Sequence, residues 1–114
     1  MSDCLFCGIV DGKVKANVVY QDERLVAFKD INPKAPVHIL IIPRKHVASV
    51  LDISAEDGAL IGEIFQIAAR LAWEQGIADS GFRVVVNSGA DAGQTVFHLH
   101  YHLLGGRLMS WPPG

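Results

Sequence analysis

The sequence predicts an α+β domain built on a five-stranded, mostly antiparallel sheet, with one long helix packed on it and a short helical turn at the N-terminus. Three observations carry the prediction. Segments rich in β-branched and aromatic residues recur between Pro, Gly, Asn and Asp punctuation. A single stretch, Leu60 to Ala72, repeats its apolar residues at intervals of three and four. The length, 114 residues, suits one core and leaves no room for a second, so residues 1–114 are expected to form one domain.

Taken in order, Cys4 to Val10 reads as the helical turn, ended by Asp11-Gly12. Asn17 to Tyr20 and Arg24 to Lys29 read as strands joined by the tight Gln21-Asp22-Glu23 turn, hence a hairpin. Val37 to Ile42 is a near-continuous apolar run, entered after Pro36 and ended by Pro43, which suits a central strand. Ser54 and Asp57 have the spacing of a capping box, and Glu56 and Asp57 suit the positive end of a helix dipole. The helix that follows presents Leu60, Ile61, Ile64, Ile67, Ala68, Leu71 and Ala72 as one stripe until Gly76 supplies a C′ stop. Phe82 to Asn87 and Val96 to Leu104 are two further strands around the loop Ser88 to Gln94. The tail from Gly105 ends in Trp111-Pro112-Pro113-Gly114, where two prolines forbid regular structure.

Composition narrows the function. Ten Lys plus Arg against twelve Asp plus Glu give a net charge of −2, which supplies no basic field for extended nucleic-acid binding. No apolar run approaches the ~20 residues of a membrane helix, and the acidic start Met1-Ser2-Asp3 does not read as an export signal, so a cytoplasmic setting is expected. Charged residues are 19% of the chain, below the roughly 25% of an average soluble domain, which points to an oligomer. Cys4 and Cys7 close too small a loop to staple the fold, and their C-x₂-C spacing is one half of a tetrahedral zinc site. A redox pair and a pair of plain buried thiols are the other readings.

His98-Leu99-His100-Tyr101-His102-Leu103 is the informative segment. Alternation on a strand sends the three imidazoles to one face and Leu99, Tyr101 and Leu103 to the other. That spacing lets one ring attack a centre while its neighbours bond the flanking oxygens, whereas it spreads three rings too widely for one metal. A merely solvated face leaves three histidines at three successive positions without a cause.

The segment resembles the motif of the histidine triad (HIT) superfamily. Asp30-Ile31-Asn32-Pro33, His38, Asn87-Ser88-Gly89, Gly93-Gln94-Thr95-Val96-Phe97 and the ending Trp111-Pro112-Pro113-Gly114 are similar to the Hint branch, the histidine triad nucleotide-binding proteins. The resemblance implies a HIT-like fold dimerising into a continuous sheet. It also implies a purine nucleoside phosphoramidase that cleaves the P–N bond of AMP or GMP amine conjugates through a nucleotidyl-histidine. A dinucleoside polyphosphate hydrolase of the same superfamily is the alternative within it, and a non-catalytic, zinc-stabilised nucleotide-binding or interaction module is the alternative outside enzymes.

Carried over residue by residue, His100 is the nucleophile, suited to it as a neutral imidazole. His102 bonds the phosphate oxygens, aided by backbone N–H groups of the Gly93-Gln94-Thr95 turn. Thr95 stands where Hint proteins usually have Ser and relays a proton. Asn87 reaches the phosphate or the leaving group. Asp30 binds the ribose hydroxyls and Ile31 the base, although Asp30 before Ile-Asn-Pro also reads as a turn residue. His38 supports the triad, or is a satisfied half-buried histidine. Trp111, with Met109 and Ser110, reaches the leaving-group side of the partner subunit, or packs locally. By the same resemblance Cys4, Cys7, His46 and His98 hold one structural Zn²⁺.

Overall fold

The computed structural model describes residues 4–114; Met1 to Asp3, the stretch from which the absence of an export signal is expected, lie outside it. Five strands, β1 (Val18–Gln21), β2 (Leu25–Lys29), β3 (Val37–Pro43), β4 (Phe82–Val86) and β5 (Tyr101–Gly105), form one sheet in the order β1-β2-β3-β5-β4, and every neighbouring pair is antiparallel. Two α-helices, α1 (Leu5–Val10) and α2 (Gly58–Glu74), complete the fold. No helix among the described residues is long and apolar enough to cross a membrane.

Local chemistry explains the elements. Asp22 closes the first hairpin, its Oδ1 accepting from the N–H groups of Arg24 (2.8 Å) and Leu25 (2.9 Å), the usual work of an Asp at a turn. β3 lies between β2 and β5, which is why its sequence is apolar almost throughout. The Ser54–Asp57 box forms, with the Ser54 N–H donating to Asp57 Oδ2 (3.0 Å), but it caps a 3₁₀ turn, Ala55–Asp57, so α2 starts only at Gly58. Gly76, at φ 76°, ends α2 as expected, and the Ile77 N–H beyond it donates to the Ala72 carbonyl (3.0 Å).

One expectation is corrected. The last strand begins at Tyr101, not Val96, because its ladder with β3 runs Val37↔Gly105 to Ile41↔Tyr101 and, continued, sets Leu99 opposite Pro43, which has no N–H to offer. Leu99 instead donates its N–H to the Val47 carbonyl (2.6 Å), in the loop beyond β3. Facing is nonetheless kept: Leu99, Tyr101 and Leu103 pack with Leu60, Ile64, Ala68 and Leu71 of α2 on one side of the sheet. Val26, Phe28, Leu40 and Ile42 turn to the other side, where Phe6 of α1 covers them. The sheet is therefore thick on its α2 side and thinly covered on the other, the side that His38 and His102 share with Leu40.

Candidate active site

His100 is buried, and its ring lies edge-on to Phe6 with centroids 5.1 Å apart. Its Nδ1 is 2.8 Å from the His98 carbonyl, which only accepts, so Nδ1 carries the proton and Nε2 is left with its lone pair. A second assignment follows in the same way from a backbone donor. The Lys34 N–H donates to His38 Nδ1 (3.0 Å), so neutral His38 holds its proton on Nε2, 2.9 Å from His102 Nδ1. His102 Nδ1 then accepts, and the His102 proton is on Nε2. One nucleophilic nitrogen and one fixed N–H donor thus stand on rings whose centroids are 5.2 Å apart. His38 reaches His102 from the neighbouring strand, β3, and Asp30 Oδ2 stands 3.4 Å from its Nε2.

Burial holds His38, His98 and His102 below the ordinary histidine pKa of 6.5; at His102, the adjoining His100 and His38 rings add to it and bring the value to about 4. As pH falls from 6.5 toward 4 the unfolded chain takes up protons that the folded chain refuses, so stability present above pH 6.5 is progressively lost. Thermal melts in chelator are expected to show Tm falling across that window. A flat Tm would show that the imidazoles are not desolvated.

Beside these rings opens a pocket of about 300 Å³. His100, His102 and Thr95 are among its polar lining, with Asp30, Lys15 and Lys29; Leu5, Phe6, Ile9, Val14, Ala16, Phe28 and Leu40, with Ile31, make it an apolar slot. Asp30 Oδ1 accepts the Asn32 N–H (2.8 Å) in a turn, as one of its two sequence readings has it, and the residue also lines the pocket. Asn87 lies one residue past the Val86↔Tyr101 pair, so the register carries it alongside His100.

Other candidates fall elsewhere. The Gly93 and Gln94 N–H groups donate within their own loop, to Ala90 and Gly89 carbonyls (both 3.0 Å). The buried Gln94 side chain is a brace, donating to the Ala48 and Val96 carbonyls and accepting from the Gly89 N–H. Trp111 is 81% exposed, with the Arg83 guanidinium 6.0 Å from its ring centre, so packing within its own subunit does not bury it. The slot residues Phe28 and Leu40 escaped the sequence reading; their signal was their place on β2 and β3, on the same sheet face as His102.

His98 leaves the relay and joins a separate cluster. Its Nε2–H donates to the Pro43 carbonyl (2.8 Å), which points its Nδ1 lone pair at Cys4 Sγ (3.4 Å), Cys7 Sγ (3.6 Å) and His46 Nδ1 (3.2 Å), while Cys7 Sγ and His46 Nδ1 are 3.3 Å apart. Metal bonds of ~2.0–2.1 Å to nitrogen and ~2.3 Å to sulfur give a tetrahedron with N···N edges of about 3.3–3.4 Å and N···S edges of about 3.5 Å. The separations lie close to those edges, and the four donor atoms all lie within 4.8 Å of one another. The donor set fits Zn²⁺ with no fifth position.

A five-stranded antiparallel sheet bearing an imidazole relay beside an apolar slot is the frame of the histidine triad class. The family model described as "HIT domain" matches residues 11–109, and the chain belongs to that family. It is 47% identical to a HIT family hydrolase from Legionella pneumophila, covering 98% of this chain and all of that one, with a TM-score of 0.97. A Zn-bound histidine triad family protein from Mycobacterium smegmatis is 35% identical, at TM-score 0.80, over 93% of this chain and 76% of its own. A histidine triad nucleotide-binding protein from Candida albicans is 28% identical, at TM-score 0.82, over 96% and 83% respectively.

Proposed function

We propose that the protein hydrolyses the P–N bond of purine nucleoside phosphoramidates. The observation that carries the reading is the hydrogen-bond pattern of the rings, His100 Nδ1 on the His98 carbonyl and His102 Nδ1 on His38 Nε2, which leaves the Nε2 of each ring free for a phosphate beside a slot of about 300 Å³. The base lies in the apolar slot against Ile31 and the ribose hydroxyls donate to Asp30. His100 Nε2 attacks the α-phosphorus as the P–N bond breaks, and the charge growing on the non-bridging oxygen is met by His102 Nε2–H, held in place through His38. The amine leaves with a proton passed from solvent through the Thr95 hydroxyl; water then attacks phosphorus, its oxygen displacing His100 Nε2 and its proton returning to solvent by the same hydroxyl, giving the nucleoside monophosphate. Asn87 steadies the phosphate or the amine. The zinc-bound relative and the donor set support one structural Zn²⁺ on Cys4, Cys7, His46 and His98; with four protein ligands it supplies a crosslink and no chemistry.

Mixing the protein with an adenosine phosphoramidate is expected to give AMP and, on rapid quenching, a mass increase of one adenylyl group on a His100 peptide. Hydrolysis of dinucleoside polyphosphates with inert phosphoramidates would favour the rival superfamily chemistry instead.

The same reading includes a homodimer. β4 is an edge strand, with Phe82 and Val86 exposed, and α2 leaves Phe65 and the 67% exposed Trp73 uncovered, an apolar surface that a second copy would bury. Met109, Ser110 and Trp111 then stand beside the partner's leaving group. Light scattering is expected to give about twice the 12.4 kDa chain mass, and a monomer at micromolar concentration would remove the dimer from the account.

A further inference from the structure

We infer that metal in the Cys4, Cys7, His46 and His98 cluster and nucleotide in the pocket bind cooperatively, with Phe6 as the positioning residue that couples them; the inference rests on the nucleotide and zinc readings above. The two sites share one short element. α1 and its cap carry Cys4 and Cys7 to the cluster, and the same turn and a half delivers Leu5, Phe6 and Ile9 to the pocket wall. The Phe6 ring lies edge-on to a cluster residue, His98 (6.0 Å), to the nucleophile, His100 (5.1 Å), and to Phe28 in the slot (5.5 Å). A backbone link runs in parallel, since the His98 carbonyl holds the His100 Nδ1–H while the His98 ring faces the cluster.

The pocket rim follows the helix. The N–H groups of Lys13 and Val14 both donate to the Gly8 carbonyl (2.9 and 3.1 Å). A Cβ on Gly8 would come within 2.7 Å of Val14 Cγ2, so the segment after α1 is packed against it without slack. Displacing α1 therefore displaces the rim of the pocket along with its wall.

Six residues are too few for a helix to hold itself together in water, so α1 keeps its place through its packing, with Phe6 the buried residue and Ile9 and Val10 beside it, and through the cluster. A bound cation fixes both cysteines and so orders the wall before nucleotide arrives, and nucleotide then meets a smaller ordering cost. Linkage makes the effect reciprocal: the factor by which metal raises nucleotide affinity is the factor by which nucleotide raises metal affinity.

The test uses the zinc-loaded full chain and AMP. With AMP saturating, a competing chelator is expected to need an about tenfold higher concentration to extract half of the zinc, inside the 5–150-fold span usual for coupled sites. Calorimetry on the chelated chain is expected to show AMP bound more weakly by the same factor. Phe6→Leu, loaded with zinc, is expected to bind AMP more weakly because the slot loses a ring, and at AMP concentrations raised to saturate it AMP should protect its metal clearly less than in the wild type; loss of stability alone would not reduce that protection at saturation. Equal extraction with and without AMP, while calorimetry shows AMP bound, would overturn the coupling and leave the nucleotide reading standing. Failure of the zinc-loaded wild type to bind AMP at all would overturn both.

Discussion

Alanine at His100 is expected to lower phosphoramidate turnover by on the order of 10³-fold or more, with AMP affinity changed only severalfold. The asymmetry follows from where the interactions lie. In the proposed mechanism affinity would come from the apolar slot and from Asp30, neither of which the substitution removes, whereas the Nε2 lone pair of His100 would serve to form the bond to phosphorus. His102 cannot stand in, because its Nδ1 is occupied by His38 and its Nε2 carries a proton. His100→Gly should behave alike, and neither variant should yield the adenylyl adduct. Turnover within about tenfold of wild type would reject His100 as the nucleophile. Loss of AMP binding along with turnover would place His100 in the binding wall rather than the reaction.

The parts legible in the sequence are those set by strictly local rules. β3 reads as central because residues buried on both faces must be apolar, and the Ser54–Asp57 box and Gly76 mark the two ends of the α2 region through hydrogen bonds a few residues long. The roles of His100, His102 and His38 came from resemblance and are now accompanied by a geometry that gives each ring a proton position. Illegible were the features that depend on distant partners. The start of β5 depends on Pro43, more than fifty residues earlier, lacking an N–H where the ladder would continue. The backbone N–H groups of Gly93 and Gln94 read as phosphate donors in their motif, yet in the folded loop they donate to the Ala90 and Gly89 carbonyls, while the Gln94 side chain braces Ala48 and Val96. Phe6 carries no signal of its own between the two cysteines; its contacts with both His98 and His100 exist only once α1 folds across the sheet.

Cys4→Ala is expected to abolish stoichiometric zinc and to lower Tm only where zinc is present. A ligand that binds the folded chain alone stabilises it by about 4 kcal/mol at a free concentration ~1,000 times its Kd. For a domain of this size that amounts to a Tm difference of roughly 12–20 °C between loaded wild type and variant. In chelator the two chains should melt within a few degrees of each other, since the half-buried Cys4 then contributes little beyond its acceptor role toward the Cys7 N–H (3.3 Å). Cys4→Ser separates those two duties. Its hydroxyl can still cap α1 but is a poor zinc ligand, so it should melt like wild type in chelator and like Cys4→Ala in zinc. A Tm deficit of equal size in zinc and in chelator would instead identify Cys4 as a packed thiol. Because His98 is a member of the cluster and its carbonyl holds His100, metal removal from the wild type should also lower turnover modestly, without eliminating it.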